Sequence, residues 1–199
     1  MPDGRDIARY DLGVDPDPAN LRIIHYPDPI LRRRAEPVGR IDNGIRAVVG
    51  RMIELMIEAE GVGLAAPQVG LPWRVFVAHV PETEGRSASD VPPTASTEPR
   101  VFVNPELFDL TGELKTIEEG CLSLPDIRGD IIRSDLASIR AQDLAGRTFT
   151  LHAQSMLARC WQHEVDHLDG VLIIHRMTQM SRLKCRSAVR ALERQTLTR

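Results

Sequence analysis

The order of apolar and polar positions divides the chain into periodic stretches separated by Gly- and Pro-rich punctuation. The first strong signal begins at Asp42-Asn43, after which Ile45, Val48, Val49, Met52, Ile53 and Met56 recur at helical spacing. Either Asp42 or Asn43 can cap this helix, because a short polar side chain there accepts an otherwise unpaired backbone N–H. Gly61 and Gly63 end the pattern, and GVGLAAPQVG is too Gly-rich for a helix interior, so it reads as a tight, closely packed loop. Ahead of the helix, LRIIHYPDPILRRRAEPV predicts a short extended piece and one turn around Pro29 to Arg33. Residues 1–20 are polar, with Pro and Asp clusters, and are expected to form a loose arm.

Past Gly70 the period changes to that of strands. WRVFVAHV (73–80) and RVFVNPEL (100–107) are rich in β-branched and aromatic residues. Between them, residues 81–99 carry four prolines and almost nothing suited to a core, which predicts a mobile hairpin insertion. Shorter β-like pieces follow at 113–119, 129–133, 136–143 and 147–151, with LAGR (144–147) as a turn. Over 152–169 the pattern is helical again and puts Met156, Cys160, His163 and His167 on one stripe. A basic C-terminal helix is expected within 178–199, with Cys185, Ala188, Val189 and Leu192 as its apolar stripe and arginines every four residues from Arg182 to Arg194. No internal repeat or second domain is visible, so residues 1–199 read as one domain.

Composition narrows the class. A chain of 199 residues can bury one good core. A net charge of -3 excludes a wholly basic nucleic-acid binder, and 42% hydrophobic residues exclude a disordered chain. Cys121, Cys160 and Cys185 are too few and odd in number for a disulfide framework, which suits a reducing compartment. The N-terminus has no apolar run and several aspartates, unlike a secretory or transit peptide, and no stretch approaches a membrane span. These features place the protein in the cytoplasm.

The candidate chemistry centres on His163-Glu164-x-x-His167. On a helix, residues four apart share a face, so two imidazoles can grip one divalent ion while the intervening glutamate reaches a water beside it. The motif alone also occurs by chance in helices without metal. A catalytic site needs a third ligand: Asp169 and His175 lie downstream, His175 off the HExxHxxGxxH spacing, and Cys121 lies upstream. Spacing alone favours a packing cysteine at Cys121 over a ligand.

Three segments taken together change the weighing. Gly61-Val-Gly-Leu-Ala-Ala-Pro-Gln68, Glu119-Gly-Cys-Leu-Ser123 and His163-Glu-x-Asp-His-Leu-x-Gly170 occur in this order and match in full the three signature motifs of the peptide deformylase family. The chain resembles that family over about residues 21–175. The resemblance implies an α+β fold, with antiparallel β-sheets around a central HExxH-bearing helix, an N-terminal helix and a C-terminal helix. It makes Cys121, His163 and His167 the metal ligands and Glu164 the catalytic acid/base. Gln68 and the backbone N–H of Leu122 would face the developing oxyanion. Val62, Gly63, Gly120, Arg128, Met156 and Cys160 would contact the substrate, with Val62, Met156, Cys160 and the side of His163 lining a methionine pocket. Glu119 would pair with Arg133 and hold the strand presenting Cys121. The family commonly uses Fe2+, and Zn2+, Ni2+ or Co2+ also suit an N,N,S donor set.

The reaction implied is hydrolysis of the N-formyl group from the N-terminal formyl-methionine of newly made proteins, releasing formate. A bound metal lowers the pKa of water from about 15.7 towards about 7, and Glu164 would take the water proton and return it to the leaving amine. The expected partners are formyl-Met nascent polypeptides and, through the basic C-terminal helix, the ribosome near its exit tunnel, with no membrane. Ser134 and His175-Arg176 depart from residues common in relatives, and the 81–99 insertion is longer than in compact members, but none of these touches the three motifs. A zincin-type protease shares HExxH but lacks the Cys121 motif. A binding module that has lost catalysis would be expected to lack Glu164 or a ligand. His25, His79 and His152 have no ligand-like spacing.

Overall fold

Asp42 caps the first helix, α1 (Asn43–Glu58), by accepting the backbone N–H of Ile45 at 3.0 Å. The computed structural model describes residues 16–196, so most of the expected N-terminal arm lies outside the described residues. Its last part forms a short 3-10 turn, Pro18–Asn20, capped by Asp17. The expected turn near Pro29 is a second 3-10 segment, Pro29–Arg32, capped by Asp28. The Gly-rich loop contains a three-residue strand, β1 (Gly63–Ala65), followed by a 3-10 turn, Ala66–Val69.

The strands are β1, β2 (Val75–Ala78), β3 (Arg100–Cys121), β4 (Leu124–Gln142) and β5 (Thr148–Gln154). They form a single five-stranded antiparallel sheet in the order β1-β2-β3-β4-β5, so each strand pairs with its neighbour in sequence. Two pairs of the expected short strands are fused. Residues 100–107 and 113–119 belong to β3, and 129–133 and 136–142 belong to β4, which stops one residue short of the expected 136–143 stretch. The residues that read as strand ends are absorbed as irregularities instead. Pro105 and Gly112 lie at register shifts, and Asn104, Asp109 and Gly112 take positive φ there. A β-bulge accepts an extra or kinked residue without ending the pairing. Residues 152–154, expected to be helical, are the end of β5.

The insertion between β2 and β3 is tied down. Glu82 accepts the hydroxyl of Ser87 at 3.0 Å and the N–H of Ala88 at 2.9 Å, and Ala95 is buried in the core despite the polar look of the segment.

Strand β2 explains why its sequence does not alternate in polarity. Val75 and Val77 pack on α1 with Met52 and Met56, while Phe76 and Ala78 face helix α2 (Ser155–Leu168) with Leu157 and Trp161. Eleven of the fourteen residues of α2 are buried, and it packs against all five strands. Its end is fixed by Gly170 at φ +73°, with Gly170 N–H on His167 O at 3.1 Å and Val171 N–H on Asp166 O at 2.8 Å. That pair of bonds is the Schellman closure, which needs a left-handed residue. A Cβ at Gly170 would also lie 2.5 Å from the carbonyl oxygen of Arg32. Gly170→Ala is therefore expected to destabilise the fold by about 1–3 kcal/mol, with the thermal midpoint falling by roughly 2–4 °C per kcal/mol. An unchanged midpoint in calorimetry would contradict this.

After a short helix α3 (Ile173–Arg176), the chain ends in α4 (Gln179–Thr196). Cys185, Val189 and Leu192 pack on a core of Tyr26, Leu31, Ile131 and Leu172, whereas Ala188, expected in the stripe, stays exposed. The Tyr26 hydroxyl donates to Glu193 at 2.5 Å and accepts from Arg32 at 2.8 Å, tying α4 to the start of the described chain. Among the described residues no helix is long and apolar enough to cross a membrane.

Candidate functional site

Cys121 is the last residue of β3, and the two-residue turn Leu122-Ser123 leads directly into β4. His163, Glu164 and His167 occupy the last two turns of α2. The fold brings the end of that strand against that helix face. Cys121 Sγ lies 3.2 Å from His167 Nε2, which lies 3.2 Å from His163 Nε2, and the three donors are all within 4.8 Å of one another. Nitrogen and sulfur donors at roughly 2.0–2.3 Å from one tetrahedral ion would stand about 3.3–3.6 Å apart. The cluster thus fits a single divalent cation. Asp169 and His175, the downstream alternatives, are not part of it: Asp169 pairs with Arg74 at 2.8 Å, and His175 Nδ1 bonds the backbone of Leu172 at 3.1 Å.

The chemistry of the donor set agrees with that fit. Burial holds His167 well below the ordinary imidazole value, which keeps it a neutral donor. His163 Nδ1 meets Glu119 Oε2 at 3.0 Å, so its Nε2 is left for the cluster. Glu119 itself is buried, and burial works to raise its pKa. Hydrogen bonds from His163 and Arg133 outweigh that and hold the carboxyl well below the usual carboxylate range. The Glu119–Arg133 pair is a two-bond fork, Nε to Oε1 at 2.7 Å and Nη2 to Oε2 at 3.0 Å.

Glu164 is 3% exposed, and its Oε2 has no hydrogen-bond partner within the described protein. Burial pushes its carboxyl up to about 7, against the lowering pull of His163 and Arg133. Its packing reveals why residue 63 is a glycine: a Cβ there would overlap Oε1 of Glu164 and come within 2.7 Å of its Cδ. Sequence reasoning assigned Gly63 only to substrate approach.

Gln68 is buried with its amide fixed in one direction. The side-chain Oε1 accepts the N–H of Ala65 at 2.8 Å, which turns Nε2 towards Ser123 Oγ at 3.3 Å and Cys121 Sγ at 3.6 Å. A cleft of about 630 Å³ opens over these groups. It is lined by Gln68, Cys121, Leu122, His163 and Glu164, and also by Val62, Gly63, Gly120, Arg128, Met156 and Cys160. Every site residue expected from sequence except His167 therefore lines one cleft, and His167 lies beneath it in the donor cluster. Cys160 donates its thiol to the carbonyl of Val62 at 3.2 Å, while Arg128 lies at the exposed rim and pairs with Glu118. His79 and His152 bond Ser96 and Ser138, away from the cluster.

Sequence reasoning missed three charged residues beside the site. Arg159 donates to Glu119 Oε1 at 2.6 Å, and Asp166 accepts from Arg133 at 2.8 Å and from Arg176 at 2.6 Å. The available signal was position: Arg159 stands one helical turn before His163 and so shares its face.

Comparisons with known proteins agree with one another. A family model described as polypeptide deformylase matches residues 20–183. A peptide deformylase of Opitutus terrae is 41% identical over 182 residues, covering 89% of this chain and 95% of that protein. One of Acidobacterium capsulatum is 41% identical over 172 residues, covering 86% and 95%. Among solved structures, a Plasmodium falciparum peptide deformylase superposes with a TM-score of 0.78 at 34% identity, covering 89% of this chain and 98% of that one. A Thermotoga maritima peptide deformylase gives 0.69 at 40% identity, covering 79% and 97%. With the motifs, the fold and relatives matched over nearly their whole length, the chain belongs to the peptide deformylase family of hydrolases.

Proposed function

We propose that the protein removes the formyl group from the N-terminal formyl-methionine of nascent polypeptides, with Cys121, His163 and His167 holding one divalent metal and Glu164 moving the proton. The observation that carries this reading is the coincidence of the three-donor cluster and a buried, unpartnered Glu164 oxygen in one cleft. An ion held there would supply Lewis acidity, which lowers the pKa of water towards about 7. Fe2+ is the native ion expected by family, and Zn2+, Ni2+ or Co2+ suit the same donors.

The chain's own residues supply the rest. Glu164, with a carboxyl poised near neutrality by burial, accepts the proton of the attacking water and delivers it to the amine nitrogen, which cannot leave as an anion. Gln68 Nε2 and the Leu122 N–H donate to the oxygen of the formyl group as it gains charge. Gln68 suits this task because its carbonyl end is already committed to Ala65. β1 is an edge strand, so an extended peptide can pair along Gly63, with Val62, Met156, Cys160 and the side of His163 receiving the methionine. Gly120 and Arg128 border the same path.

Gln68→Glu should lower kcat by at least roughly 10²–10³-fold, the usual cost of losing one oxyanion donor, because it also places a charge of the wrong sign there. Formate release at equal metal content measures it; a loss under tenfold would remove Gln68 from this role. The whole proposal is tested by formate release from a formyl-Met peptide, using protein purified anaerobically with Fe2+ or loaded with Ni2+. Release that collapses in Glu164→Ala and Cys121→Ala supports it, and no release from folded, loaded protein ends it.

The reading includes a cytoplasmic enzyme acting beside the ribosome. Arg182, Lys184, Arg186 and Arg190 of α4 are exposed, and such a face suits ribosomal RNA. Arg186→Glu with Arg190→Glu should weaken ribosome binding and flatten its salt dependence, with the slope falling by about 0.9 for each phosphate no longer neutralised. Unchanged binding in a sedimentation assay would exclude this face.

A further inference from the structure

We infer that Arg159 is a positioning residue for the His163 imidazole, acting through the carboxylate of Glu119. The inference rests on the reading of His163 as a metal ligand. Glu119 can aim one oxygen at His163 only if its carboxylate is prevented from turning. Oε2 accepts from His163 Nδ1 at 3.0 Å, and Oε1 is shared by two guanidinium groups, Arg133 Nε at 2.7 Å and Arg159 Nη1 at 2.6 Å.

The two arginines do different jobs. Arg133 sits on β4 and ties Glu119 across to the neighbouring strand, with its remaining nitrogen on Asp166. Arg159 sits on α2, one turn before His163, so the same helix meets Glu119 at two points. Arg159 is itself immobilised. Its Nη2 donates to the carbonyl of Lys115 on β3 at 2.6 Å and its Nη1 to that of Ile131 on β4 at 3.1 Å. Backbone from two strands therefore fixes the guanidinium, the guanidinium fixes Glu119 Oε1, and the other oxygen fixes the imidazole. Glu119, Arg133 and Arg159 are each no more than 7% exposed, so solvent and salt do little to loosen the linkage. Arg133 grips both Glu119 oxygens from β4 and reaches α2 at Asp166, and Arg159 adds a bond to Glu119 from α2 itself, one turn before His163.

The test uses Arg159→Met, Arg159→Gln and Arg159→Lys in the full chain. Zn2+ affinity is measured by competition with a chromophoric chelator, and the His163 Nδ1–H proton shift, which reports its hydrogen bond to Glu119, by ¹H–¹⁵N NMR of the Zn2+-free protein, both well below each variant's thermal midpoint. The expected result is a roughly 10–100-fold loss of Zn2+ affinity in the Met and Gln variants, with the His163 Nδ1–H resonance moving upfield as its hydrogen bond to Glu119 loosens. Lysine should restore part of both, since Nζ can still donate to Oε1. A merely structural role lowers the thermal midpoint and leaves affinity and the Nδ1–H shift at wild-type values; that result overturns the inference, as does a lysine variant no better than methionine. If Arg159→Met does not fold, the Gln and Lys variants carry the same comparison. A wild-type protein that fails to bind Zn2+ defeats the metal reading instead, and the Nδ1–H comparison still judges Arg159.

Discussion

Alanine at position 164 is expected to slow formate release by roughly 10²–10⁴-fold, the range over which a positioned acid/base acts, while metal content stays at the wild-type level. The separation follows from geometry. Glu164 lies between the two histidines in sequence but is not part of the donor cluster, which consists of Cys121, His163 and His167. Its carboxylate is buried with one oxygen unpaired, and truncating it removes no hydrogen bond from the fold. Stability should accordingly hold or rise slightly, since a buried ionisable group is costly to keep without a partner. Formate assays beside elemental analysis and a melting curve read the three quantities. Activity within tenfold of wild type would mean that another group moves the proton.

The second large effect is expected at a residue with no functional group. Gly63→Ala should lower kcat/KM by on the order of 10²-fold, the cost of displacing a catalytic group by about an ångström. The backbone at residue 63 is ordinary strand, paired with Ala78, so alanine strains no dihedral angle. The whole effect comes from its Cβ, which would overlap the Glu164 carboxylate. At Gly61 the corresponding contact is only the end of the flexible Leu122 side chain, at 2.8 Å. A double-mutant cycle isolates the cause. The added Cβ also meets Glu164 Cγ at 2.8 Å, so only a Glu164→Ala background clears the space, and Gly63→Ala should cost much less there than in wild type. Additive losses would place the glycine's role in substrate approach alone.

The residues legible in sequence were those whose chemistry repeats over short range. Asp42 announces α1 through its capping oxygen, and His163, Glu164 and His167 share a helix face by spacing alone. Cys121 was not legible that way; only its surrounding motif pointed to it, since its partners lie more than forty positions away. The strands were found but cut too short. Pro105 and Gly112 are local breakers, and local rules cannot see that a partner strand holds the pairing together across a bulge. The tethering of residues 81–99 was missed for a related reason: Glu82, Ser87, Asp90 and Thr94 bond one another in a pattern that no periodicity announces. Arg159 was overlooked because an arginine on an amphipathic helix is ordinarily at the surface. It is buried here because Glu119 and two strand carbonyls satisfy it.

The clamp of the first described residues on the last helix bears on how the molecule assembles. β3 and β4 meet through a two-residue turn, so their pairing can form as soon as that hairpin has been synthesised. The remaining closures span the chain: Ala35 N–H bonds Leu168 O at 2.7 Å, and Tyr26 reaches Glu193 across 167 positions. Contacts of such separation are entropically slow to make. The helix bearing the histidines is thus seated between an early hairpin and a late-arriving terminus. A chain emerging from synthesis holds every donor once residue 167 has appeared, yet the segment that buttresses their helix waits on the final turn of α4 for its own anchor.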